Sequence, residues 1–438
     1  MLVSEEEKPL TEEEKEPQIK FSCQHLWKIF GPNPKHALTL IKEDMTKEEV
    51  LEQTGHVIAI RDVSFDVMEG EVFVIMGLSG SGKSTLIRCL NRLFKPTKGK
   101  ILIDGADLAA MDEEELRMAR RHKICMVFQQ FALLPHRSVI DNVAYGLEVQ
   151  GIPKAKRHQK AMEVLELVEL KGWEKNYIDE LSGGMQQRVG LARALAIDPE
   201  IMLMDEPFSA LDPLIRRQLQ DEFLDLLAKV HKTIVFITHD LSEALKMGER
   251  IAIMKDGQFI QMGSPEEIVS VPADEYVTEF VRDVPRSKVV LVKSIMRDPE
   301  VTLYSWQGPK VALHDMRQND VQYAFIMDPG RRLRGIINFD EARQAVKDGV
   351  TRLSQIVKGN ALQIGPDQPI EEVIPLAATS PNPVAVIDED ERLIGEVPRV
   401  ALLMGMMGEE NNHVANDKSG KALNQNSDKA SDQKKETK

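Results

Sequence analysis

The nine residues Gly77-Leu78-Ser79-Gly80-Ser81-Gly82-Lys83-Ser84-Thr85 constrain this chain more than any other stretch. They follow an apolar run over residues 72–76 and open a helical pattern over residues 83–93. Glycines let the backbone turn tightly enough for successive N–H groups to face phosphate oxygens, and a helix start adds about half a positive charge at the same place. In this strand–turn–helix setting Lys83 is placed to reach the β and γ phosphates of a nucleotide, and the Ser84 hydroxyl to sit on Mg²⁺. The surrounding pattern agrees. Apolar runs recur at residues 124–128, 201–204 and 234–238, and helical spacing at 157–170, 185–196 and 213–230. This is α/β alternation around a mostly parallel buried sheet. Residues 57–68 alternate in the manner of an antiparallel edge hairpin.

Two further motifs carry chemistry. Ile201-Met-Leu-Met-Asp205-Glu206 is an apolar strand ending in adjacent carboxylates, and in a parallel sheet that end lies beside the phosphate loop. Successive strand residues point to opposite sides, so Asp205 can face a metal while Glu206 reaches a water in line with the γ phosphate. Leu181-Ser182-Gly183-Gly184-Met185-Gln186-Gln187-Arg188 is a second glycine-rich turn leading into a helix, hence a second anion site. One nucleotide does not need two such loops from one chain, whereas a head-to-tail dimer would use both.

Composition limits the partners. The 438 residues carry 56 Lys and Arg against 70 Asp and Glu, net −14, which argues against a nucleic-acid binder held by phosphate neutralisation. No apolar run reaches the length of about 18 residues that a membrane span needs, and the acidic start does not read as a leader. Cys23, Cys89 and Cys125 stand at no metal-ligand spacing and read as reduced core thiols of a reducing compartment. Residues 1–20 read as an acidic disordered extension and residues 409–438 as a disordered polar tail. Between them, a large domain is expected over residues 21–283. A smaller α+β region repeats itself at an offset of 60 residues, placing Asp328 on Asp388 and Gly335 on Gly395; its copies are expected over residues 288–348 and 349–406.

With the Leu-Ser-Gly-Gly motif unsubstituted, residues 21–283 resemble the ATP-binding cassette (ABC) ATPases. The resemblance implies a P-loop NTPase cassette with a helical subdomain, using ATP and Mg²⁺. It implies that Gln129 is the Q-loop glutamine, a ligand of Mg²⁺ with Ser84 and Asp205, and that His239 is the switch histidine at the γ phosphate. By the same resemblance Phe30 would be the aromatic that stacks on adenine, preferred over Trp27 for its position before Gly31. Glu206, His239 and Lys83 would be catalytic, and the loop from Gly77 to Thr85 would bind ATP. Ser182, Gly183, Gly184, Gln186 and the D-loop residue Asp212 would act in trans, closing the site of a second copy.

Two departures from the generic cassette narrow the resemblance. The interval from Phe30 to Gly77 holds 46 residues, more than a typical cassette places there, and includes the helical stretch from Thr46 to Gly55. With Leu90-Asn-Arg-Leu, this insertion is similar to ATP-binding subunits of importers for glycine betaine, proline betaine, choline or carnitine. The repeated region resembles a tandem pair of cystathionine β-synthase (CBS) domains, also typical of those importers, which implies regulation by ionic strength or a nucleotide. Arg331, Arg332 and Arg334 are the local basic cluster for such a sensor, or else a solvated turn. The resemblance implies a peripheral protein on the cytoplasmic membrane face, working with an integral-membrane permease, indirectly with an extracytoplasmic substrate-binding protein, and with a second copy of itself. The alternatives are an importer of another small solute, or a soluble ABC ATPase outside transport.

Overall fold

The strand Val72–Met76 is buried at every residue and lies inside a six-stranded sheet. The sheet order is Gln258–Gly263, Arg250–Lys255, Val72–Met76, Thr233–Thr238, Ile201–Asp205 and Ile124–Val127. All neighbours are parallel except the outermost pair, Gln258–Gly263 with Arg250–Lys255. The computed structural model describes residues 18–42, 45–129, 132–209, 211–230, 232–359 and 361–407. The tail expected over residues 409–438 and most of the extension expected over residues 1–20 lie outside them. The chain falls into two units, divided between Arg282 and Asp283.

In the first unit a second, antiparallel sheet runs Val57–Met68, Ile19–Phe30, Lys98–Ile103 and Ala106–Asp107. Residues 57–68 are therefore one long strand, not a hairpin; their partner precedes them in the chain. That partner starts at Ile19, opposite Met68, so ordered structure begins before residue 21. The helix Lys83–Leu90 enters a core built from both sheets, where Leu86, Ile87 and Leu90 meet Phe21, Val67, Ile75 and Ile237. Phe65 of one sheet stacks on Phe73 of the other at 4.9 Å. Full burial of each such side chain contributes about 1.5–3 kcal/mol, so the phosphate loop is anchored at both ends by core. Burial pushes the Cys89 thiol up to about 12 and Cys125 up to about 11; these thiols are unreactive packing groups.

The insertion after Phe30 folds as two helices, Pro34–Leu40 and Lys47–Thr54. Thr46 and Glu49 form a reciprocal capping box at the second, and Gly55 ends it in the left-handed conformation. Ala37, Met45 and Val50 pack with Ile29, Ile58 and Trp27. Trp27 thus serves the insertion core. A separate helical region comprises Val139–Val143, Tyr145–Val149, Lys154–Leu167 and Gly183–Ala196, with Val139, Val143, Ala161, Leu165, Val189 and Ala192 buried.

The second unit is built twice. Thr302–Tyr304, Tyr323–Met327 and Leu333–Asn338 form one three-stranded sheet, and Gln363–Ile364, Val384–Ile387 and Leu393–Val397 another. In each, the first pair is parallel and the second antiparallel. The halves exchange their leading segments. Val290, Val292 and Ile295 pack with Ile364, Ile370 and Val384, while Leu353 packs with Val301, Leu303 and Ile326. A division between residues 348 and 349 is thus a division of the chain and not of the packing.

Candidate functional site

The phosphate loop needs its glycines for space as well as for φ. Gly77 sits at φ +155 and Gly82 at φ +110; a Cβ would stand 2.2 Å from the Met254 carbonyl oxygen at the first and 2.4 Å from that of Ala59 at the second. No side chain fits between this loop and those backbones. Lys83 is buried, its Nζ donating to the carbonyls of Gly77 at 2.8 Å and Leu78 at 3.0 Å. Burial pushes its ammonium below the ordinary lysine range, against the pull of Glu206 and Asp205. The Ser81 hydroxyl is buried without a hydrogen-bond partner among the described residues.

Across the sheet, the strand Ile201–Asp205 delivers Asp205 under the loop helix. Ser84 Oγ donates to Asp205 Oδ1 at 3.2 Å, and the Arg88 guanidinium lies 3.8 Å from Oδ2. Burial raises the Asp205 carboxyl above its ordinary value, more than Ser84 and Arg88 lower it. Two hard oxygen donors so placed suit a cation that takes its remaining ligands from water and phosphate. No group of three or more His, Cys, Asp or Glu side chains is placed to hold a metal ion among the described residues.

Glu206, one residue on, has φ +46, a backbone setting that costs a non-glycine residue about 1–3 kcal/mol. Its N–H donates to the Ile237 carbonyl at 3.0 Å. Its Oε2 receives Gln129 Nε2 at 3.2 Å and lies 2.9 Å from His239 Nδ1. Gln129 also donates to Ser209 Oγ at 3.2 Å. A carboxylate only accepts, so the His239 proton sits on Nδ1 and Nε2 is free to accept in the neutral ring. Three residues read separately from the sequence, on three elements, meet at one carboxylate.

A cleft of about 520 Å³ is lined by Phe30, Ser79, Gly80, Gly82, Lys83, Ser84, Thr85 and Glu206, and not by Asp205, Gln129 or His239, which stand behind Ser84 and Glu206. Phe30 is 39% exposed, with the edge of Phe94 against it at 5.6 Å. None of Ser182, Gly183, Gly184, Gln186 or Asp212 lines this cleft. Ser182 Oγ caps its own helix, accepting from Met185 N at 3.4 Å. The Gln186 amide donates to the carbonyls of Ile178 and Leu181. Asp212 Oδ1 accepts from Leu214 N and Ile215 N, capping the helix Pro213–Val230. In the second unit, Arg334 pairs with Asp328 at 2.7 Å, and Arg331 and Arg332 occupy the same turn.

Sequence motifs put Ser209 in the D-loop with Asp212, away from this site, and did not single out Arg88 or the side chains of the insertion helix. Ser209 enters through its bond to Gln129. Arg88 enters one helical turn after Ser84, a spacing visible only once the helix is placed. Lys47, Glu48 and Leu51 of the insertion also line the cleft; the helix was legible, its direction was not.

The family described as ABC transporter matches residues 60–209. A glycine betaine transport ATP-binding protein of Bacillus subtilis is 48% identical over 92% of this chain and 95% of its own length. A glycine betaine/carnitine transport ATP-binding protein of Listeria monocytogenes is 47% identical over 90% of this chain and 99% of its own. A glycine betaine/proline betaine transport system ATP-binding protein of Escherichia coli is 45% identical, over 89% and 98% respectively.

Proposed function

This chain belongs to the family of ABC transporter ATP-binding proteins, and we propose that it hydrolyses ATP to drive import of glycine betaine or a related quaternary amine. It works as a pair of cassettes on the cytoplasmic face of the membrane, docked on an integral-membrane permease that an extracytoplasmic binding protein supplies. No helix among the described residues is long and apolar enough to cross a membrane. The substrate class rests on the named transport roles of the relatives over nearly the full chain length.

The observation that carries the ATPase reading is the convergence of Gln129 and His239 on Glu206, a residue that lines the cleft. The loop amides and Lys83 hold the phosphates. Ser84 and Asp205 would hold Mg²⁺, whose chemistry is to neutralise charge on the β and γ oxygens. Glu206 orients the attacking water and draws on its proton, while His239 and Lys83 stabilise the charge that develops. Ser182, Gly183, Gly184, Gln186 and Asp212 stand away from their own cleft, which supports a role against the nucleotide of a second copy, with the signature helix supplying donors in trans. Phe30 stacks on the base. The twofold-repeated second unit acts as a CBS-type regulatory module.

The test is ATPase activity of the reconstituted transporter with its binding protein, across a panel of betaines and salt concentrations. Stimulation by a quaternary amine is expected. Stimulation by a sugar or a peptide alone would overturn the substrate class while leaving the ATPase standing.

A further inference from the structure

We propose that the insertion helix Lys47–Thr54 forms the second wall of the nucleotide-base site, with Leu51 facing the base opposite Phe30 and Glu48 accepting from the ribose hydroxyls. This rests on the ATP-binding reading of the cleft. Three large apolar side chains at this cleft are strongly exposed, Phe30 at 39%, Leu51 at 49% and Val57 at 48%, and they come from a strand end, the insertion helix and the next strand start. Clustered around one mouth, above a cradle of backbone amides, they make an apolar rim over a phosphate floor. That division matches a nucleotide, whose base is flat and apolar on its faces and whose tail is anionic.

The helix is fixed for this purpose from its other side. Val50 is fully buried in the cluster with Ile29, Met45 and Ile58. The capping box holds the first turn, and Lys47 Nζ lies 3.5 Å from Asp256 Oδ1. Asp256 adjoins Gly257, whose N–H donates to the Ser81 carbonyl of the phosphate loop at 2.8 Å. The insertion is thereby tied to the loop it overlooks. Glu49 is occupied by the capping box, whereas the exposed carboxylate of Glu48 has no hydrogen bond or ion pair among the described residues and is the acceptor left for ribose.

Isothermal titration calorimetry of the full chain with MgATP and with magnesium tripolyphosphate, which has no base or ribose, separates the wall from the cradle. Leu51→Asp is expected to weaken MgATP about tenfold, the ~1.4 kcal/mol scale of a partly buried leucine contact, and to leave tripolyphosphate unchanged. Leu51→Met should restore wild-type affinity, and Gln53→Ala, on the exposed side away from the cleft, should change neither ligand. Glu48→Gln should weaken MgATP severalfold and leave 2′,3′-dideoxy-ATP unaffected. Equal loss of MgATP and tripolyphosphate in Leu51→Asp would show the helix acting through the phosphate loop and overturn the proposal, as would unchanged MgATP binding. Lys83→Ala, which should abolish both ligands, is the separate check: if it binds both like the wild type, the nucleotide reading of the cleft fails instead.

Discussion

At the scale of single residues, the arrangement puts most weight on Glu206. Its carboxylate is the meeting point of Gln129 and His239, and its backbone is held at positive φ. Glu206→Gln preserves shape and hydrogen bonding but removes the charge. It should leave ATP affinity intact, trap a closed dimer, and lower hydrolysis by about a hundredfold to a thousandfold; single-turnover hydrolysis and size-exclusion chromatography with ATP check both halves. Asp205 yields a pH prediction. Burial raises its carboxyl, so it takes up a proton at a higher pH than an exposed aspartate, and the protonated form has lost the charge a divalent cation needs. MgATP affinity should therefore begin to fall, on acidification, above the usual aspartate value of about 3.9, and in Asp205→Asn it should be weak at every pH. The effect on folding has the opposite sign. Burial favours the neutral acid, so this group's stabilising contribution is present at low pH and is lost as pH rises through the raised value.

Elements matter here through what joins them. The helix Pro213–Val230 follows the Asp212 turn, and from its first turn Arg216 donates through Nη2 to the carbonyls of Ser209 at 3.4 Å and Leu211 at 3.1 Å. Its Nη1 lies 3.5 Å from Asp240 Oδ2, just after His239. One guanidinium thus spans the turn after Glu206 and the loop carrying the switch histidine. Because Arg216 does not line the cleft, Arg216→Ala should lower kcat about tenfold, the loss of about one charge-assisted hydrogen bond, with KM for ATP near the wild-type value. Arg216→Lys should recover part of the loss, since a point charge reaches Asp240 but cannot also fork to two carbonyls. Nothing in the sequence singles out Arg216, one of two adjacent arginines on an amphipathic helix. What was legible were elements with a strong local signature: the fully buried run 72–76 coincides with its strand, and the pattern over 213–230 coincides with its helix. The strands Ile19–Phe30 and Lys98–Ile103 left weaker traces, because each is solvated on one face and interrupted by shifts in register. Site residues were legible where chemistry restricts residue type, as at Lys83, Asp205 and Glu206. They were illegible where an ordinary Leu or Arg acts by position alone.

On the scale of the whole molecule, the chain carries an ATPase unit and a twofold-repeated unit, and the second is proposed to regulate the first. Its internal symmetry supplies a physical means. The hairpin turns of the two halves lie side by side: Leu333 N donates to the Glu391 carbonyl and Leu393 N to the Arg331 carbonyl, both at 3.1 Å. One turn carries Arg331, Arg332 and Arg334 with Asp328, and the other Asp388, Glu389, Asp390 and Glu391 with Arg392. Arg332 stands opposite Arg392, and the pairs Arg334–Asp328 and Arg392–Asp390 each lie within one turn, so backbone pairing sets a turn of net positive charge beside one of net negative charge. Screening shortens from about 10 Å at 0.1 M salt to about 3 Å at 1 M, which weakens attraction between exposed turns of this kind while leaving the exchanged apolar cores intact. Replacing the three arginines by glutamine should therefore lower the thermal stability of the second unit at low salt and hardly at high salt. If this contact is the ionic-strength sensor, the same variant should flatten the salt response of transport-coupled ATPase activity toward the high-salt level of the wild type. Salt activation unchanged in the triple variant, alongside the low-salt stability loss, would leave the turns as a structural clasp and remove them from regulation.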